Sequence, residues 1–189
     1  MKYASEYFPA LPVLLISLFT MLLVAHVSYE NKKKHAAEEM ERANRAKAKL
    51  HELIPEFSKL YNTISSLSSF DSGYLMKRDW DALLLSAAPA LAAIAELPQE
   101  IVKASEYADT IAYVQERCQD TTYREKRNDE YKALEIKACD ALFSDIDGGK
   151  SLDPQQRDAI VTDEYSNLVI AGAGSGKTSV VVGKVKYLV

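Results

Sequence analysis

Hydrophobic and polar positions divide this chain into three stretches of different period. Phe8 to Val27 (FPALPVLLISLFTMLLVAHV) carries no formal charge over twenty residues. At about 1.5 Å per residue a helix of that length reaches about 30 Å, which predicts a membrane-spanning segment. Pro9 and Pro12 fall near its start, where a missing N–H costs least. From Asn31 to Leu67 apolar residues then recur in steps of three and four: Ala36, Met40, Ala43, Ala46, Leu50, Leu53, Phe57, Leu60, Ile64 and Leu67. That is one face of an amphipathic helix, which Pro55 is expected to kink or restart. Its early seam is dominated by Ala, too weak for a long zipper.

Further along, Ser65 to Gly73 (SSLSSFDSG) reads as a loop. Asp79 is placed to cap a helix through Trp80 and Leu83, and Pro89 and Pro98 punctuate two more short helices. Ile101 to Phe143 is a long helical pattern with a polar face, and the charged run Arg124 to Glu130 is expected to be solvated. Gly148-Gly149 ends this region. Asn167 to Ala171 (NLVIA) is a short β-prone run, and Val181, Val182, Val185, Leu188 and Val189 return to helical spacing.

Composition changes this picture little. The chain has 189 residues, 48% of them hydrophobic and 26% charged, with 7 Gly and 6 Pro, which suits a helix-rich protein. A net charge of −4 excludes a globally basic nucleic-acid binder. Locally, Lys32, Lys33 and Lys34 follow the apolar run. By the positive-inside rule they predict a single-pass membrane protein with its carboxyl end in the cytoplasm and Met1 to Tyr7 outside. The same lysines are candidates for contact with anionic headgroups. A cleaved signal peptide is the rival reading, but the start is weakly charged and Val24 to Ser28 makes a poor cleavage site. Cys118 and Cys139 form no CxxC, and His26, His35 and His51 lack ligand spacing, so no zinc site is expected.

The chemistry concentrates at the carboxyl end. Gly172-Ala173-Gly174-Ser175-Gly176-Lys177-Thr178 lies between the β-prone run and the last helix, the context of a phosphate-binding loop. Glycines let backbone N–H groups converge on phosphate oxygens, and a helix amino terminus adds positive potential. Lys177 is placed to reach the β- and γ-phosphates of a nucleotide as the catalytic cation, and the Thr178 hydroxyl to hold Mg²⁺. Upstream, Leu152-Asp153-Pro154-Gln155-Gln156-Arg157-Asp158-Ala159-Ile160 has Asp153 at a helix N-cap, Pro154 at N1 and Gln156 at N3, a capping-box start.

The pattern G-x-x-x-x-G-K-[ST] wants Gly where this chain has Ala171. Read as A-x-x-G-x-G-K-T, the loop resembles that of superfamily 1 helicases. The stretch from Leu152 to Ile160 resembles the Q motif of UvrD/Rep-type helicases, in which the glutamine, here Gln156, bonds the adenine edge; an amide suits that task because it donates and accepts at once. Residues 152–189 together resemble the first motif block of superfamily 1A UvrD-like helicases, most closely the helicase IV type.

The resemblance implies ATP and Mg²⁺ as cofactors, with Gln156, Ala171, Gly172, Ala173, Gly174, Ser175, Gly176, Lys177, Thr178 and Ser179 around the nucleotide. Ser179 stands where many relatives carry Arg. The DNA partner, single-stranded or partly duplex, would belong to the intact machine, in a bacterial-type cell. The expected fold is mainly α: a transmembrane helix, a helical middle, then one strand and one helix opening a P-loop α/β domain. The expected divisions are 1–30 anchor, 31–147 helical region and 148–189 the truncated start of the ATP-binding domain. Such an amino-terminal piece lacks the acidic strand end, the arginines and the single-strand channel that the resemblance implies. The isolated chain is expected to bind ATP weakly or not at all, without hydrolysis. The alternatives are a membrane-anchored helical interaction module with a vestigial loop, or another P-loop ATPase.

Overall fold

The computed structural model describes the backbone of residues 10–146 and 148–189, with side chains from Leu15 onward. Eight α-helices follow along these residues: α1 (Ala10–Ser68), α2 (Lys77–Ala95), α3 (Gln99–Lys103), α4 (Ala108–Gln119), α5 (Tyr123–Ala138), α6 (Asp140–Ser144), α7 (Pro154–Val161) and α8 (Lys177–Leu188). A single 3-10 turn, Phe70–Ser72, follows α1. The chain divides into two compact units, Met1–His51 and Glu52–Val189.

The fold departs from the expected one in two respects. No β-strand occurs among the described residues: Asn167 to Ala171 is irregular, with Leu168 86% and Ile170 88% exposed. A strand needs a neighbour to take its N–H and C=O groups, and no described segment lies alongside to do so. Nor is any helix among the described residues long and apolar enough to cross a membrane, so the single-pass membrane protein and the membrane partner are not supported. The predicted span begins at Phe8, and Met1 to Pro9 lie outside the described residues. After Val27 the helix turns polar at Glu30, Asn31 and the three lysines, which bounds the apolar stretch at its carboxyl end.

Pro98 precedes α3 as expected, whereas Pro89 does not punctuate a helix. Pro55 lies inside α1 and Pro89 inside α2, without ending either helix. Proline frees the carbonyl four residues back. For Pro89 that residue is Leu85, 78% exposed, so water can satisfy the lost bond. The second unit buries Phe57, Leu60 and Ile64 from the end of α1, together with Trp80, Leu83, Ala87 and Ile94 of α2 and Ile111 and Val114 of α4. Helix α2 begins after Met76, with Asp79 in its first turn rather than at the cap.

The charged run is not uniformly solvated. Arg127 and Asn128 are buried on α5. Asn128 pairs with the backbone of Leu75 in both directions, accepting from its N–H and donating to its C=O, each at 2.9 Å. Arg127 donates to the Ser69 carbonyl at 2.7 Å and lies between the rings of Phe70 and Tyr131, each 5.3 Å away. Burial depresses its pKa. Those side chains tie the irregular Ser69–Leu75 stretch to α5, replacing ladder bonds that an irregular segment does not have.

A second core lies under the carboxyl end: Phe143, Ile146, Leu152, Ile160 and Val161, with Val180, Val182 and Tyr187 against them. Gly183 of α8 sits directly on Ile160. A Cβ there would lie 2.5 Å from the Ile160 Cδ1, 3.4 Å from Leu152 and 3.5 Å from Ile146. Glycine is a poor helix residue, worth roughly 0.5–1 kcal/mol less than Ala, and close helix approach is the gain that offsets this.

The contact predicts that Gly183→Val destabilises the chain by about 1–3 kcal/mol in urea unfolding, despite removing a helix glycine. Ile160→Val in the same background is expected to recover part of the loss. The start of α5 gives a prediction for pH. The Asp120 carboxylate accepts from the Thr122 N–H at 2.8 Å and from the Thr122 hydroxyl at 2.6 Å, with Lys126 at 3.2 Å. The Thr122 hydroxyl and N–H, then Lys126, hold its pKa down at about 2, from an ordinary 3.8. A folded value below the unfolded one stabilises above the unfolded value and is lost as pH falls through the folded one. Carboxyl chemical shifts of Asp120 should therefore titrate near pH 2, and Thr122→Ala should move the midpoint towards the ordinary value.

Candidate nucleotide-docking site

Helix α7 starts as the sequence reads. The Asp153 carboxylate accepts from the Gln156 N–H at 2.9 Å, and the Gln156 Oε1 accepts from the Asp153 N–H at 3.0 Å, with Pro154 at the first helical turn. This reciprocal pair satisfies two donors that a helix start otherwise leaves open. It also fixes the amide: Oε1 must face the Asp153 N–H, so Nε2 faces away, and it donates to the Ser175 carbonyl at 3.1 Å. Gln156 and Ser175 are 19 residues apart in sequence.

The loop is built on glycines with positive φ. Gly174 and Gly176 both have φ of 77°, and Gly176 is the left-handed N-cap of α8. A Cβ at Gly176 would also stand 2.4 Å from the Gln156 Nε2, so the carboxamide would have to move to admit one. Ser175 closes the turn, its hydroxyl donating to the Gly172 carbonyl at 2.7 Å and its N–H to the same oxygen at 3.4 Å. In α8 the Val180 N–H bonds the Gly176 carbonyl at 3.1 Å. The N–H groups of Lys177, Thr178 and Ser179 precede that bond and point out of the amino end of the helix. Lys177 bends over the loop and donates to the carbonyls of Ala171 at 2.8 Å and Gly172 at 2.6 Å. Thr178 is exposed and Ser179 half-buried in the first turn; Ala173 is exposed in the loop.

The predicted site residues therefore come together in one place, Gln156 of α7 against the loop from Ala171 to Ser179. Several residues that hold the place lay outside the sequence reading. Lys184 donates to the carbonyls of Ile160 at 2.8 Å and Thr162 at 3.1 Å and pairs with Asp163 at 3.2 Å, closing the carboxyl end of α7 from α8. A cation at a helix carboxyl terminus is favoured there. Arg157 donates to the Leu152 carbonyl at 2.9 Å and pairs with Asp140 at 2.7 Å.

Helix α5 holds the same segment from the other side. Lys132 meets Asp158 at 2.9 Å and Asp129 at 3.2 Å. Burial works against its charge, yet the two carboxylates carry its pKa upward. Arg124 pairs with Glu164 at 2.6 Å, and Glu164 also accepts from the Lys77 N–H at 2.9 Å. The Tyr187 hydroxyl donates to Glu135 at 2.9 Å; burial first, then Tyr131 and Glu135, raises its pKa. One signal for this packing was available in the sequence, a glycine at position 183 inside an otherwise apolar helical pattern.

The geometry is that of a Gln-bearing helix docked on a glycine loop that opens a second helix, and the family model of the UvrD/REP helicase N-terminal domain matches residues 152–189. This segment is UvrD/Rep-type helicase sequence. No curated protein and no solved structure matches the chain. Within the helicase segment no group of three or more His, Cys, Asp or Glu is gathered to hold a metal, and the same is true of the other described residues. The loop of the helicase segment offers what a polyphosphate needs: glycine backbone, helix N–H groups and one lysine.

The crowding at Gly176 predicts the outcome of the smallest substitution. Gly176→Ala is expected to cost about 1–2 kcal/mol from left-handed strain alone. It should also displace the Gln156 carboxamide, seen as a shift of its side-chain NH₂ resonances; unchanged resonances would contradict the contact.

Proposed function

We propose that residues 152–189 are the nucleotide-docking corner of an ATP-dependent DNA helicase. Gln156 reads the adenine edge, the backbone of Ala171 to Gly176 receives phosphates, Lys177 neutralises the β- and γ-phosphates, and Thr178 holds Mg²⁺. Ser179 adds its N–H at the helix start. The observation that carries this reading is the approach of Gln156 to the loop, 3.1 Å from Nε2 to the Ser175 carbonyl. That approach supports a reading in which the base is recognised beside the loop that takes the phosphates.

The local chemistry is compatible with each role. A carboxamide has two N–H donors and two acceptor positions on oxygen; Gln156 spends one of each within the protein and keeps one of each for a base. Lys177 is held by carbonyls of its own loop rather than by a carboxylate, so a phosphate can draw it away without leaving a buried acid unpaired. Bound MgATP would supply the phosphoryl group whose transfer releases the free energy for translocation. In this reading the residues of 152–189 bind and orient it, presenting N–H groups, a hydroxyl and an ammonium. DNA, single-stranded or partly duplex, is the partner of the intact machine rather than of this corner.

The reading predicts that MgATP titrated into the 189-residue chain binds with a Kd of about 1 mM or weaker. Amide shifts should be confined to Gln156 and Gly172 to Ser179, be lost in Lys177→Ala, and be accompanied by no hydrolysis. Shifts scattered over α2 and α4, or ATP turnover abolished by Lys177→Ala, would overturn it.

A further inference from the structure

Both polar atoms of the Gln156 carboxamide are hydrogen-bonded within the protein in this structure. Its oxygen is committed to the Asp153 N–H, and its NH₂ to the Ser175 carbonyl. The amide cannot be reversed, because only the oxygen can accept from the Asp153 N–H and only the nitrogen can donate to a carbonyl. Gly176 makes the approach possible, since any Cβ there would stand 2.4 Å from Nε2. The arm that carries Gln156 is itself fixed: Ile160 is fully buried against Gly183, Arg157 is tied to Leu152 and Asp140, and Lys132 holds Asp158.

We propose that Gln156 is a positioning residue for the phosphate loop, setting the Ser175–Gly176 peptide plane whether or not a base is present. Ser175 is the node of the loop, bonded to Gly172 through both its hydroxyl and its N–H. In a planar trans peptide the carbonyl and the following N–H point in opposite directions. With the Ser175 carbonyl drawn to Gln156, the Gly176 N–H is turned away from α7. Orientation of a loop donor before any phosphate arrives lowers the ordering cost of binding. The side chain proposed to read the base thus has a second task, performed through one of its two N–H donors. The proposal rests on the nucleotide-docking reading for its meaning, while its test needs no nucleotide.

The test is backbone ¹⁵N relaxation on the full 189-residue chain at pH 7, in wild type, Gln156→Glu and Gln156→Ala. The glutamate keeps the acceptor for the Asp153 N–H and so keeps the start of α7, but it has no N–H for the Ser175 carbonyl. The expected result is an order parameter at Ser175 and Gly176 near the rigid value of about 0.85 in wild type and below about 0.6 in both variants. In Gln156→Glu, Arg157 and Ile160 should stay rigid. If Ser175 and Gly176 remain rigid in Gln156→Glu, the proposal is wrong. If α7 and the loop loosen together in that variant, Gln156 is a capping residue alone and the proposal is equally wrong. Failure of the nucleotide reading would appear separately, as the loss of the MgATP response in wild type.

Discussion

The carboxyl-terminal architecture depends on how closely α8 lies on α7, and that distance is set where Gly183 meets Ile160. A glycine at the crossing removes the Cβ that would otherwise stand 2.5 Å from a fully buried methyl. Everything at the site follows from this approach. It lets Lys184 reach the carbonyls at the end of α7, one residue beyond the contact. It brings the start of α8 near the start of α7, so that Gln156 reaches the loop. The cost is a glycine inside a helix, and the return is the Gln156 side chain and the glycine loop held at hydrogen-bond distance.

Around this contact the polar links run outward to α5 and to the segment before α2. Lys132 to Asp158, Arg124 to Glu164 and Tyr187 to Glu135 each join a residue of the helical region to one in or beside the helicase segment. Single exposed ion pairs contribute little, but Arg124 and Glu164 are both half-buried, and Lys132 is half-buried beside Asp158. In the second unit the helical residues are the floor on which the helicase segment stands, not a separate appendage.

What the sequence disclosed was what local chemistry specifies. The Asp153-Pro154-Gln156 start of α7 is a four-residue rule and formed as read, and the glycine loop before Lys177 is where the motif places it. Contacts between distant residues were not legible: Arg127 and Asn128 sit in a run of charges, and nothing nearby in sequence tells that Leu75 needs an amide partner. The NLVIA run carries strand propensity, but a strand is a property of a pair, and propensity alone does not supply the second member. The apolar amino-terminal stretch suggested a membrane helix by length and flanks. Among the described residues, however, no helix is long and apolar enough to cross a membrane, and the apolar stretch gives way to Glu30 and the three lysines. Pro89 does not break α2, because a proline whose freed carbonyl reaches water is tolerated within a long helix.

The most direct test of this account is a nuclear Overhauser measurement on the 189-residue chain, with the Ile160 δ-methyl, the Gly183 α-protons and the Gln156 side-chain NH₂ assigned. The account predicts a strong Ile160–Gly183 cross-peak together with cross-peaks from the Gln156 NH₂ to Ser175 and Gly176. Absence of the Ile160–Gly183 peak, or its presence with Gln156 far from the loop, would contradict the claim that the α7–α8 contact assembles the site.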